Sequence, residues 1–128
     1  MRALFDTHAL AWWLLKDVRL SQSACDLIAD PDNEIWVSSV SAFEMATKLR
    51  IGTWPGIGSL VENFDEALMA ESFSQLSINS AHALRGGSID GSHRDPFDRL
   101  LAAQSLVEGM PLVTNDPAFK AFGVELLW

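Results

Sequence analysis

Near the start of the chain Ala3-Leu4-Phe5-Asp6-Thr7-His8-Ala9, and near its end Leu112-Val113-Thr114-Asn115-Asp116, share one pattern: a short apolar run that stops on polar residues and an acid. Residues 2–5 read as a strand ending at Asp6, and Glu34-Ile35-Trp36-Val37-Ser38, rich in strand-favouring types, reads as a second. Between them lie His8 to Leu15, apolar nearly all round, and Ser21 to Asp30, where Ser21 is placed to cap a helix and Ala24, Leu27 and Ile28 fall at helical spacing. Asp30-Pro31-Asp32-Asn33 turns the chain into the second strand.

The same alternation continues outward. A helix from about Ser41 is expected to turn Phe43, Ala46 and Leu49 towards a core and to close near Gly52, with Lys48 and Arg50 in its last turn. Trp54 to Gly58 form a break, after which Leu60, Val61, Phe64 and Leu68 make a helical stripe. A short strand is expected around Leu76 to Ile78, a small helix over Asn79 to Leu84, and a flexible loop over Gly86 to Arg94. Asp95 and Pro96 open a helix through Leu100, Leu101, Gln104 and Val107, and strands follow at Leu112 to Thr114 and Val124 to Leu127. Strands separated by helices predict an α/β fold: a mostly parallel sheet covered on both faces, in one domain over residues 1–128.

Composition narrows the partners. With 48% hydrophobic and 20% charged residues the chain is globular, apolar enough for part of its surface to be covered by another protein. A formal net charge of −8 excludes a large basic footprint for nucleic acid; a polyphosphate could be met only locally, or where bound cations reverse the surface charge. The single Cys25 can form no internal disulfide and offers no zinc-type spacing, which fits a reducing, cytoplasmic setting. The apolar stretch before Asp6 is too short for a signal peptide, and no run approaches a membrane span.

The acids fall where an open parallel sheet binds its ligands, beyond the carboxyl ends of the strands and where strand order reverses. Asp6 follows the first strand and Asp116 a later one; Glu44 lies in the helix after strand two, and Asp98 in the first turn of the helix before Asp116's strand. Carboxylates about 4 Å apart repel by roughly 4 kcal/mol at an effective dielectric near 20. A cluster of them is either partly protonated or neutralised by divalent cations, and all-oxygen donors favour Mg²⁺ or Mn²⁺ over Zn²⁺. Such ions activate water and stabilise the oxygens of a phosphodiester, which lets an acidic protein act on an acidic polymer. Each acid also has a plain structural reading: Asp6 and Asp116 as caps, Asp95 as the N-cap before Pro96, Asp98 as an acid favoured by the helix dipole, and Glu44 on a solvated face.

Taken in order, Leu4-Phe5-Asp6-Thr7-His8-Ala9, Val37-Ser38-Ser39-Val40-Ser41-Ala42-Phe43-Glu44, Asp95-Pro96-Phe97-Asp98-Arg99-Leu100-Leu101-Ala102-Ala103-Gln104 and Leu112-Val113-Thr114-Asn115-Asp116 resemble a PIN domain, in particular the VapC-type toxins of bacterial and archaeal toxin–antitoxin pairs. The resemblance spans essentially the whole chain. It implies a three-layer α/β/α sandwich and a Mg²⁺- or Mn²⁺-dependent RNA endonuclease, commonly a homodimer, inhibited by a cognate antitoxin and often active on structured RNA such as tRNA. By position, Asp6, Glu44 and Asp98 resemble the family's core acids and Asp116 its fourth, with Thr114 a polar neighbour and Asp95 a rival for the place of Asp98.

Other residues have modest readings. His8 and His93 are expected to face solvent or substrate, His82 to pack or lie at the surface, and Arg94 and Arg99 to pair with neighbouring carboxylates. Trp12, Trp13, Trp36, Trp54 and Trp128 serve the core or an interface, with base stacking as the alternative, and Cys25 is expected to be buried. A phosphoacceptor domain would want a pair of acids at the first strand and a lysine late in the sheet, and an aspartyl phosphatase a second acid where His8 stands. A catalytically silent binding module with the same fold stays open.

Overall fold

The computed structural model describes residues 1–128. Its centre is a five-stranded sheet of β1 (Arg2–Phe5), β2 (Glu34–Ser38), β3 (Ser74–Leu76), β4 (Leu112–Val113) and β5 (Leu126–Leu127). The strands run in the order β3-β2-β1-β4-β5 and every pairing is parallel. The chain builds outward from β1 to β3 and then returns to the other side, so strand order reverses between β1 and β4. Phe5 is level with Val37 on one side and Val113 on the other, which sets Asp6, Ser38 and Thr114 in a row just beyond.

Alternation along the strands builds a core on each face. Ala3, Phe5, Ile35 and Val113 point to one side, against Ala9 and Trp12 of α1 (Thr7–Leu14) and Ala24 of α2 (Gln22–Ala29). Leu4 and Leu112 point to the other, against Val40 of α3 (Ser39–Arg50) and Leu101 and Ala102 of α7 (Pro96–Glu108). A third cluster joins Leu10, Val37 and Met45 to Ile57, Leu60 and Leu68, which come from a 3₁₀ turn (Pro55–Ile57), α4 (Gly58–Glu62) and α5 (Phe64–Ala70). The result is the three-layer α/β/α sandwich with a parallel central sheet.

Several local expectations need correction. α3 starts at Ser39, because Ser38 caps it by accepting from Val40 N at 3.0 Å, and its inward face is Val40, Ser41, Glu44 and Met45. Phe43 and Ala46 are exposed, so the helix is rotated from the predicted face and the acid goes inside. The stripe from Leu60 to Leu68 is two short helices broken at Asn63 rather than one. β3 ends at Leu76, where its partner strand ends at Ser38, instead of reaching Ile78. α6 (Ser80–Ser88) runs through Gly86 and Gly87, which were expected in a loop. It continues because a Cβ at Gly86 would meet Arg99 O and Leu100 Cδ2, both at 3.3 Å: the absent side chain lets α6 lie close on α7.

Candidate active site

The carboxyl edge of the sheet is where the acids meet. Asp6, 5% exposed, is fixed on both oxygens: Oδ1 accepts from Ala9 N at 2.7 Å as the N-cap of α1, and Oδ2 accepts from the Thr114 hydroxyl across the β1/β4 switch. That hydroxyl in turn accepts from Asp116 N at 3.0 Å. Thr114 therefore ties Asp6 to the Asp116 backbone, and Asp116 caps the 3₁₀ turn Pro117–Phe122 through Ala118 N at 2.9 Å.

Glu44 is carried in from α3 and is 3% exposed. The Thr7 and Ser41 hydroxyls, 3.0 Å apart, hold α3 against the start of α1. One turn further on, Lys48 Nζ donates to Glu44 Oε2 at 2.5 Å. Asp98 comes from the first turn of α7 and is hydrogen-bonded to His93 Nε2 at 2.7 Å. Asp95 caps that helix, its Oδ1 accepting from Phe97 N and Asp98 N. All five acids, with Lys48, line one small cavity of about 130 Å³.

Electrostatics follow from burial. Asp6 is pushed up to about 6, chiefly by loss of hydration, with the charges of Asp98 and Glu44 adding and the Thr114 and Ala9 hydrogen bonds opposing. Asp98 is raised to about 6 by burial first, with Asp95 and Glu44 adding against the His93 hydrogen bond. Burial disfavours the Lys48 ammonium, but Glu44, with Asp95 and Asp98 behind it, outweighs that and raises its pKa. His8 is lowered by burial, with Lys48 and Arg19 adding to the effect.

As the side chains stand, no three His, Cys, Asp or Glu residues are drawn together tightly enough to hold a metal ion. Each acid is instead engaged by a donor of the protein: Glu44 by Lys48, Asp98 by His93, Asp6 by Thr114 and Ala9, and Asp95 and Asp116 by helix termini. The donor set nevertheless suits a hard divalent cation. Beside the His8 imidazole at its edge, it offers five carboxylates and the Thr7 hydroxyl against one ammonium, an oxygen-rich set, and holds Asp6 and Asp98 where their charge is opposed by burial.

The sequence-predicted acids Asp6, Glu44, Asp98 and Asp116 thus share one cavity, with Asp95 beside them. In the sequence Lys48 reads only as a helix-end cation; its spacing of four from Glu44 is the signal that pairs them. Arg99 does not pair with carboxylates as expected. Its guanidinium donates to the carbonyls of Gly86, Ile89, Gly91 and His93, closing the end of α6 and the following loop. His82 is fully buried: its Nδ1 accepts from Asn79 N at 3.1 Å and its Nε2 meets Glu108 at 3.0 Å. Cys25 is only half-buried.

Comparison with known proteins bears on the fold and the family. Ribonuclease VapC22 of Mycobacterium tuberculosis is 28% identical over 125 residues, covering 92% of this chain and 89% of that protein. Among solved structures, VapBC2 of Rickettsia felis bound to a DNA fragment from its promoter superposes with a TM-score of 0.67 at 18% identity, over 99% of this chain and 98% of that one. A toxin–antitoxin complex from Klebsiella pneumoniae gives 0.65 at 22% identity, over 98% and 96%. The sequence pattern of the PIN domain matches residues 3–125, nearly end to end, and the chain belongs to the PIN-domain family.

Proposed function

We propose that this chain is a divalent-cation-dependent endoribonuclease and the toxin of a toxin–antitoxin pair, with Asp6, Glu44, Asp98 and Asp116 as its catalytic and metal-holding acids. The observation that carries this reading is the delivery of four carboxylates from four chain segments to one cavity at the β1/β4 switch point. The relative named as a ribonuclease supports RNA as substrate, and the neighbouring toxin–antitoxin complexes support an antitoxin partner.

Bound in this cavity, Mg²⁺ or Mn²⁺ would supply activation of water and charge neutralisation at the attacking and leaving oxygens of the phosphodiester. The chain's own residues do the positioning. Ala9 N and Thr114 hold the Asp6 carboxylate in one orientation, and Lys48 holds Glu44 in place. Lys48, partly exposed at the rim, offers the incoming phosphate a positive charge in an otherwise acidic wall. His93 steadies Asp98 by hydrogen bonding to its carboxylate.

Exposed apolar side chains at Phe43, Ile51, Met69 and Leu84 provide surface for a homodimer or for the antitoxin. No helix is long and apolar enough to cross a membrane, and the unpaired Cys25 suits a reducing, cytoplasmic setting. The direct test is cleavage of labelled RNA, tRNA included, with and without Mg²⁺ or Mn²⁺; equal cleavage by Asp6→Asn and wild type would sink the proposal. The engaged state of every carboxylate favours one competitor, a catalytically silent PIN fold. Calorimetry with Mn²⁺ separates the two, since absence of binding at millimolar metal selects the silent module.

A further inference from the structure

Beside the carboxylates lies a second cavity, of about 220 Å³, that differs in chemistry. It is lined by His8, Trp12, Arg19, Lys48, Thr53 and Trp54, and no acid contributes to its wall. It shares His8 and Lys48 with the carboxylate cavity, so the two are continuous along one surface. In a chain of net charge −8 with nine Lys and Arg residues, this aromatic wall gathers two of the cations, Arg19 and Lys48, each paired with one carboxylate outside the cavity lining, Asp17 and Glu44.

The wall is preorganised. The His8 and Trp54 rings stack with centroids 4.5 Å apart and planes 18° apart, and Trp12 leans on His8 at 5.8 Å. Thr53 N and Trp54 N both donate to the Lys48 carbonyl, at 3.0 and 3.3 Å, which pins the Trp54 loop to the end of α3. The Arg19 guanidinium lies 5.1 Å over the Trp12 ring. Its Nε and Nη2 are held by Asp17 at 3.1 and 2.7 Å, which orients the group and leaves Nη1 for another acceptor.

We propose that this cavity is a nucleotide subsite, holding one unstacked base of single-stranded RNA against the His8–Trp54 wall with its phosphate towards Arg19 and Lys48. Stacking accepts any base, because each has a π face, and Arg19 adds a second cation to Lys48 for contact with the phosphate. An RNA strand so held runs past Lys48 and presents its next phosphodiester to the carboxylates. The inference rests on the ribonuclease reading for its substrate class, but it is tested by binding rather than by cleavage.

The experiment measures anisotropy of a short labelled single-stranded RNA with the full chain carrying Asp6→Asn, in magnesium buffer. Adding Trp54→Ala is expected to weaken binding about 5- to 150-fold, the range for loss of one stacked base, and Trp54→Phe to recover most of it. Arg19→Ala is expected to flatten the dependence of log affinity on log salt by about 0.7, the single-strand value for one phosphate. In the otherwise wild-type chain these changes raise KM and leave kcat nearly unchanged. Undiminished binding by both Trp54→Ala and Arg19→Ala overturns the subsite. If Trp54→Ala does not fold, Trp54→Phe and the exposed Arg19→Ala decide, an unchanged salt slope in Arg19→Ala being the overturning result. Cleavage by wild type with undiminished binding by the variants refutes the subsite alone. Trp54-dependent binding without cleavage refutes the nuclease and upholds the subsite.

Discussion

Replacing Asp6 by Asn removes a buried charge while keeping the oxygen that caps α1 through Ala9 N. The carboxyl is raised from 3.8 to about 6 in the folded chain, mainly by burial, so the native state holds its proton more tightly than the unfolded state does. A group raised in this way stabilises the fold below about pH 4, and that contribution is lost as pH rises through about 6. Above that window the ionised carboxylate burdens the fold by about 3 kcal/mol, at about 1.4 kcal/mol per pKa unit. Against this, the Asn amide cannot accept the Thr114 hydroxyl's hydrogen bond, which costs about 1 kcal/mol. In chelator at about pH 7.5, Asp6→Asn is therefore expected to be about 2 kcal/mol more stable than wild type, raising Tm by roughly 6 °C. Near pH 4.5 the burden on wild type falls to about 1 kcal/mol and the two chains should unfold together. Urea and thermal unfolding at both pH values measure this directly. With millimolar Mn²⁺ the order should narrow or invert, because binding stabilises the wild-type fold by mass action and the variant has lost a ligand. A variant less stable than wild type at the higher pH, or a difference independent of pH, would refute the reasoning that Asp6 is held as a strained anion.

Three further outcomes are expected. Asp95→Asn keeps the capping oxygen, so it should stay within about 0.5 kcal/mol of wild type and still cleave RNA, whereas Asp98→Asn should lose cleavage; the opposite result in the same assay makes Asp95 the third acid. Gly87→Ala, with open space at its Cβ, should gain about 0.5–1 kcal/mol in chemical denaturation, while Gly86→Ala should lose about 1 kcal/mol by pressing on Arg99 and Leu100. Gln104→Leu should cost about 2–4 kcal/mol, because the fully buried amide accepts from Ser38 and reaches Ser77 O and His82; a double-mutant cycle with Ser38→Ala should show positive coupling.

Much of the site's position was legible because it depends on chain order and short-range chemistry. Asp6 and Asp116 follow apolar runs that became β1 and β4, and the caps at Ser21 and Asp95 were readable from local pattern alone. The ordered acids likewise carried the family resemblance, which the match over residues 3–125 bears out. Other features were not legible because they depend on what packs against what. The face of α3 was misread since its apolar residues surround the helix; only contact with Leu10, Val37 and Ile57 selected Met45 for the core and brought Glu44 inside with it. Gly86 and Gly87 carry the composition of a loop, yet close approach to α7 and the Arg99 guanidinium on the Gly86 carbonyl keep them helical.

The sequence by itself determined a parallel α/β sheet and the places where carboxylates leave it, because periodicity, capping and chain order act over a few residues. Only the tertiary structure decided how those carboxylates are charged and engaged. Burial, which no local pattern specifies, raises Asp6 and Asp98, and the packing of α3 beside α1 puts Lys48 between an acidic cavity and an aromatic one.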